Sequence, residues 1–226
     1  MEPLIKRLAP ITESIAAAQA QWNHTVKLIA VTKNRTSQEI EALKSAKLYD
    51  VGENRVQEIM QKAPSLKDDF RIHMIGVLQT NKVKYIMNDV CQIQSVDRLS
   101  LAEEINRHAI AYDKRMNVLV EVSPAGEAQK GGVSIPEAEA FIRRIAKMKG
   151  LYINGLMAVM PLSNDTEYLD RLFHGMRILF DRLRREAIPD THITELSMGM
   201  SNDYRIALKN GANVIRIGTA LFGSGR

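Results

Sequence analysis

Apolar residues along this chain follow two alternating rhythms. Leu4, Leu8, Ile11, Ile15, Ala18 and Trp22 recur at steps of four and three, which places them on one face of a helix. Lys27-Leu28-Ile29-Ala30-Val31-Thr32 then forms a short apolar run of the kind a buried strand shows. Thr36 and Glu39 have the spacing of a capping box that opens a helix, with Ile40 and Leu43 on its inner side. Further strand-like runs stand at 48–51, 71–75, 90–94, 116–122, 152–156, 192–196 and 213–217, with helical patterns between them. Leu169, Leu172, Phe173, Met176, Phe180 and Leu183 make the widest apolar stripe. Ser134 and Glu137 bracket Pro136 as a second capping box, and Gly150 and Gly211 stand where helix C-caps belong.

Strands that alternate with helices predict a parallel sheet, and eight repeats predict its closure into a TIM-like (β/α)8 barrel with an additional N-terminal helix. An open, doubly wound sheet is the runner-up. No linker or low-complexity tract divides the chain, so residues 1–226 are expected to form one domain.

Composition narrows the function classes. The chain has 226 residues, 45% hydrophobic and 25% charged, which suits a globular α/β protein. A single cysteine, Cys91, excludes an internal disulfide; its neighbours read as a strand, so a buried structural thiol is expected. The first residues show no signal peptide and no apolar run could span a bilayer, so the expectation is a cytoplasmic protein without a membrane partner. The formal net charge of +5 raises the question of nucleic acid. The densest basic cluster, Arg182-Leu183-Arg184-Arg185, is flanked by Asp181 and Glu186 and reads as a solvated helix face, so no nucleic-acid partner is expected. A modest positive bias also attracts phosphorylated small molecules.

In such barrels function gathers at the C-terminal ends of the strands. Lys33 follows the first strand, where desolvation and nearby cations would favour the neutral amine that attacks carbonyls. Taken alone, it reads more readily as a lysine snorkelling at a strand end. After the seventh strand comes Ser197-Met198-Gly199-Met200-Ser201, leading into a helix from about Asn202; after the eighth comes Gly218-Thr219. Loops at these two places commonly bind phosphate, with glycine letting backbone amides approach and Ser201 and Thr219 adding hydroxyls. Otherwise Ser201 is an N-cap and Gly218 a turn. Arg216 ends the last strand and needs an acceptor: either an aromatic cofactor's nitrogen or a barrel carboxylate such as Glu53 or Glu121. No metal-ligand set is predicted.

Together these blocks resemble the pyridoxal phosphate homeostasis proteins, relatives of the N-terminal barrel of alanine racemase. The resemblance rests on Ile29-Ala30-Val31-Thr32-Lys33, Gly52-Glu53-Asn54-Arg55-Val56-Gln57-Glu58, and the run from His73 to Lys82. It continues through Gly155-Leu156-Met157-Ala158, the run from Leu196 to Tyr204, and the run from Val214 to Gly223. Small departures are Thr32 where serine is commoner, Met74 where an aromatic is usual, and the bulky Tyr204. The resemblance implies that Lys33 carries pyridoxal 5′-phosphate (PLP) as an internal aldimine. It implies a phosphate cradle of Ser201, Gly218 and Thr219, and Arg216 at the ring nitrogen. Asn54 and Met157 match positions lining the cofactor pocket, and Lys130 a loop lysine that is either solvated or a secondary aldehyde acceptor. The implied function is PLP buffering and delivery to PLP-dependent apoenzymes, with no established turnover and no catalytic residues, in a monomer or weak dimer. Roles for Lys130 and Lys82 in release stay open. The alternatives are an amino-acid racemase and a Schiff-base aldolase. A racemase needs a second base from a β-rich domain, and the sequence ends at Arg226 just after the eighth strand.

Overall fold

The computed structural model describes residues 2–126 and 131–223. Its strands are β1 (Lys27–Val31), β2 (Asp50–Glu53), β3 (Arg71–Met74), β4 (Gln92–Val96) and β5 (Met116–Ser123), followed by β6 (Val133–Ser134), β7 (Leu151–Ala158), β8 (Thr191–Ser197) and β9 (Val214–Ile217). All pairings are parallel. The sheet runs from β4 through β3, β2, β1, β9, β8 and β7 to β5, and the pairing of β4 with β5 closes it into an eight-stranded barrel. The two-residue β6 is added beside β5. This is the TIM-like barrel the alternation predicts, and the open sheet is excluded.

Among the described residues eight α-helices accompany the strands: α1 (Glu2–Trp22), α2 (Ser37–Glu41), α3 (Val56–Leu66), α4 (Leu99–Ala111), α5 (Ala138–Ile145), α6 (Thr166–Glu186), α7 (Tyr204–Lys209) and α8 (Thr219–Phe222). Side chains alternate along each strand. Val118, Val120 and Val122 of β5 join the core beneath the helices, whose buried residues include Ile59, Ile105, Phe173 and Leu183. The alternate positions, among them Ile29, Leu119, Glu121, Ser197 and Arg216, face the barrel interior. The capping box at Thr36 forms as the pattern predicts, with both reciprocal bonds to Glu39.

Several local expectations are corrected. β2 and β4 begin two residues later than their apolar runs suggest, because buried polar residues carry them: Asp50 and Glu53 in β2, Gln92, Gln94 and Ser95 in β4. Ser134 does not cap a helix; it lies in β6, and its hydroxyl bonds the Glu137 carboxylate while α5 starts after Glu137. Gly211, at φ +80°, ends α7 as expected. Gly150 caps nothing and instead permits close approach to α4, since a Cβ there would lie 2.7 Å from the Asn106 carbonyl oxygen. The helix expected from about Asn202 starts at Tyr204, with Asp203 at its N-cap position. Cys91 precedes β4, is half-buried, and sits with its Sγ 3.6 Å from His73 Nε2.

Candidate functional site

The turn after β1 is fastened on both sides of Lys33. Thr32 is fully buried and donates from its hydroxyl to Glu53 Oε1 over 2.6 Å. Lys62, buried on α3, donates to the Thr32 carbonyl, to Glu53 Oε1 and to Glu58 Oε2, each at 2.8 Å. On the far side, the Asn34 amide donates to Glu58 Oε2 at 2.8 Å, and Asn34 takes the left-handed conformation at φ +58°. Burial raises the Glu53 carboxyl above its ordinary value despite these donors. Lys33 is left exposed at the barrel mouth, lining a cavity of about 250 Å³.

Ser201, Arg216, Gly218 and Thr219 line that same cavity. The Ser201 hydroxyl oxygen accepts from the Gly218 amide at 3.2 Å and the Ala220 amide at 3.1 Å, so it is a bridge between two loops and not an N-cap. Two backbone N–H groups thus converge on one oxygen position, the geometry of an anion nest. The loop that carries Ser201 is shaped by Gly199, at φ +95°, where a Cβ would lie 2.5 Å from that of Ala207. It is pinned by Asp203 Oδ1, which accepts from the Met200 amide at 2.6 Å.

Arg216 is buried, and its two terminal nitrogens donate to Ser197 Oγ at 2.6 Å and the Ala158 carbonyl at 2.8 Å. It forms no ion pair with Glu53 or Glu121 among the described residues; Glu53 is taken by Lys62. Burial lowers its pKa to about 10, partly offset by Glu121 and Asp203. Behind it a polar chain crosses the barrel. Ser197 donates to Gln94 Oε1 at 2.8 Å, and Gln94 donates to Gln92 Oε1 at 2.9 Å. Gln92 in turn donates to Glu195 at 2.9 Å, and Lys27 pairs with Glu195 at 3.0 Å.

The remaining expected positions separate. Asn54 lines a neighbouring cavity of about 310 Å³ that shares Met160 and Pro161 with the first. Met157 is buried on β7 and lines neither cavity. Lys82 also lines neither, its ammonium lying 5.7 Å from the Tyr85 ring centroid. Lys130 falls outside the described residues.

The family described as alanine racemase, N-terminal domain, matches residues 7–225. The pyridoxal phosphate homeostasis protein of Aquifex aeolicus is 37% identical over 222 residues, which cover 96% of each chain. That of Pasteurella multocida is 33% identical, over 97% of this chain and 96% of its own. The chain belongs to the pyridoxal phosphate homeostasis protein family. A solved structure similar to this family member is PipY of Synechococcus elongatus with PLP bound, at 33% identity and a TM-score of 0.81, covering 94% of this chain and all of that one. An alanine racemase of Clostridium difficile shares the fold at a TM-score of 0.77 and 15% identity; this chain matches 60% of its length.

The site of this family member fits a phosphorylated aldehyde. One cavity is lined by the amine of Lys33, the buried guanidinium of Arg216, the hydroxyl-bearing Ser201 and Thr219, and Gly218. Sequence reasoning missed Lys62 and Asp203, and named Glu121 only as a candidate partner for Arg216, with which it forms no ion pair among the described residues. Glu121 gave one signal, a charged residue at an inward-facing position within the apolar run Val118–Val122.

Proposed function

We propose that this protein holds PLP as a Schiff base on Lys33 and acts in PLP homeostasis, buffering the aldehyde and delivering it to apoenzymes without turnover of its own. Ser201, Gly218 and Thr219 hold the phosphate, and Arg216 faces the ring nitrogen. Asn54 borders the cofactor from the adjoining cavity, while Met157, buried on β7, lines neither cavity and takes no part in the contact. When bound, PLP supplies an aldehyde that condenses reversibly with a primary amine. The observation that carries this reading is the meeting of Lys33, Arg216 and the Ser201–Gly218 bridge around one cavity. Family membership supports it. The chain's own residues fix the amine's turn, present donors to an anion and shield a cation in the floor. None of these tasks needs a second domain.

The test is a visible absorption spectrum of the protein mixed with PLP, followed by borohydride reduction and peptide mass analysis. Wild type should be yellow, with the reduced adduct on Lys33; Lys33→Ala should lose both. An adduct placed on another lysine with equal yield would sink the assignment.

A further inference from the structure

The second cavity holds a carboxylate that the cofactor reading leaves unused. Glu121 faces the barrel mouth from β5 with only 8% of its surface exposed, and among the described residues nothing donates a hydrogen bond to it or pairs with its charge. A buried ionisable side chain without a partner is costly unless a ligand or a shifted protonation state compensates. The walls around it are chiefly apolar, with Ile75, Val77, Val122, Val159 and Met160 among them. Asn54, on the same wall, has its carboxamide oxygen buried without a partner. A mostly apolar cavity with one convergent acid is the build of a small-ligand subsite.

We infer that this cavity is a subsite for a small primary amine, whose ammonium group pairs with Glu121 while its aliphatic body lies against Val77 and Val159. The inference deepens the reading of the Lys33 site and rests on it for its purpose, although amine binding itself does not. Because the two cavities share Met160 and Pro161, a seated amine stands beside Lys33 at the same mouth. It is thereby placed to take over the aldehyde. In that exchange the amine nitrogen makes the carbon–nitrogen double bond that the Lys33 nitrogen gives up. Glu121 takes one proton from the ammonium, and the amine's other two hydrogens pass to the lysine nitrogen as it leaves. The Glu121 proton completes the lysine ammonium, and nothing is oxidised or reduced.

The charged groups around Glu121 set its pH range. Burial raises its pKa to about 7; Asp97 adds to the rise, while Arg216 and Arg98 oppose it. Asp97 is itself paired with Arg98 at 2.6 Å. Only the ionised carboxylate attracts an ammonium, so affinity should grow as pH rises through about 7.

The experiment uses n-butylamine, with n-butanol as the uncharged control, in calorimetric titrations of cofactor-free wild type, Glu121→Gln and Lys33→Ala. Wild type should bind the amine saturably, more tightly at pH 8 than at pH 6, and butanol far more weakly. Glu121→Gln should lose about tenfold or more in affinity, the scale of one hydrogen bond to a charged group. Lys33→Ala should keep it. With PLP loaded, release should saturate with amine concentration in wild type and stay linear in Glu121→Gln. Equal amine affinity in wild type and Glu121→Gln overturns the inference, as does the absence of saturable binding in both the cofactor-free and the loaded protein. Failure of the Lys33 reading is seen separately, as a missing borohydride adduct with amine binding intact.

Discussion

Lys62 donates to the carbonyl oxygen of Thr32 over 2.8 Å, reaching from α3 to the residue directly before Lys33. The same ammonium neutralises Glu53 and Glu58, both at 2.8 Å, and Glu58 holds the Asn34 amide on the other side of Lys33. Removing one partner of a buried pair leaves an uncompensated charge, at a cost of about 3 kcal/mol or more. Lys62→Met should therefore lower urea stability by about that amount, and adding Glu53→Gln should recover much of it. Borohydride trapping on Lys33 should fall in Lys62→Met even at temperatures where the barrel stays folded, because the turn has lost its tether. Full trapping in that variant would show that the turn holds without it.

A second buried pair sets the alkaline limit of stability. His73 faces acceptors through both ring nitrogens, Asp50 Oδ1 at 2.9 Å and Gln92 Oε1 at 3.2 Å. Gln92 turns its oxygen toward the ring because its own amide nitrogen donates to Glu195. Burial by itself lowers the His73 pKa, but the hydrogen bonds to Asp50 and Cys91 outweigh it and raise the value from 6.5 to about 9. The charged form is thus favoured by folding. Its contribution is complete below about pH 6.5 and lost as pH rises through about 9. Asp50 works in the opposite direction: burial opposes ionisation, yet His73 and Arg71 hold its carboxyl far below the usual 3.8, so its contribution is lost as pH falls below that value. Urea midpoints should decline from pH 6.5 to 9.5 in wild type and decline much less in His73→Gln.

The barrel was legible because outward-facing strand residues are apolar, as in Val118, Val120 and Val122, and each run is followed by a helical pattern. The inward-facing residues hid the ends of β2 and β4. Glu53 and Ser95 look like loop residues in sequence, and the polar side chains of β4 find partners on a distant strand: Glu195 lies 103 residues beyond Gln92, and Ser197 the same distance beyond Gln94. Lys33 stood out in sequence only together with the loops after the last two strands, since its position directly after an apolar run more readily suits a snorkelling side chain. Lys62 was not, since a lysine in the middle of an amphipathic helix reads as solvated until Glu53 and Thr32 are seen to surround it. Ser201 was found for its hydroxyl, but its acceptor role toward Gly218 and Ala220 depends on two loops meeting in space.

Ser201 offers a test of where the phosphate binds. Its oxygen keeps the Gly218 and Ala220 amides aimed at one point. Ser201→Ala removes a hydroxyl donor and frees the α8 loop, which should weaken PLP binding by about fivefold to tenfold, the scale of one hydrogen bond. Pyridoxal, which has the aldehyde and ring without the phosphate, should bind wild type and variant alike in spectral titrations. Equal losses for the two ligands would place the effect in the fold of the loop and not in phosphate recognition.

Arg216 and Glu121 are coupled through the barrel mouth, and that coupling separates two roles of the arginine. Its positive charge lowers the Glu121 pKa, against a larger upward effect of burial. If Lys33 carries PLP as proposed, Arg216→Ala should leave it able to form the imine, so borohydride trapping persists, while the absorption band or the PLP affinity changes because the cation proposed to face the ring is gone. The same substitution should raise the Glu121 pKa further above 7 and move the onset of n-butylamine binding to higher pH. Ser197→Ala supplies the contrast. It keeps the guanidinium but removes its 2.6 Å partner and the donor to Gln94, at a cost in stability of about 1–3 kcal/mol. Since the charge remains, the pH onset of amine binding should stay near that of wild type. If both variants shift the onset equally, Arg216 acts on Glu121 through packing and not through its charge.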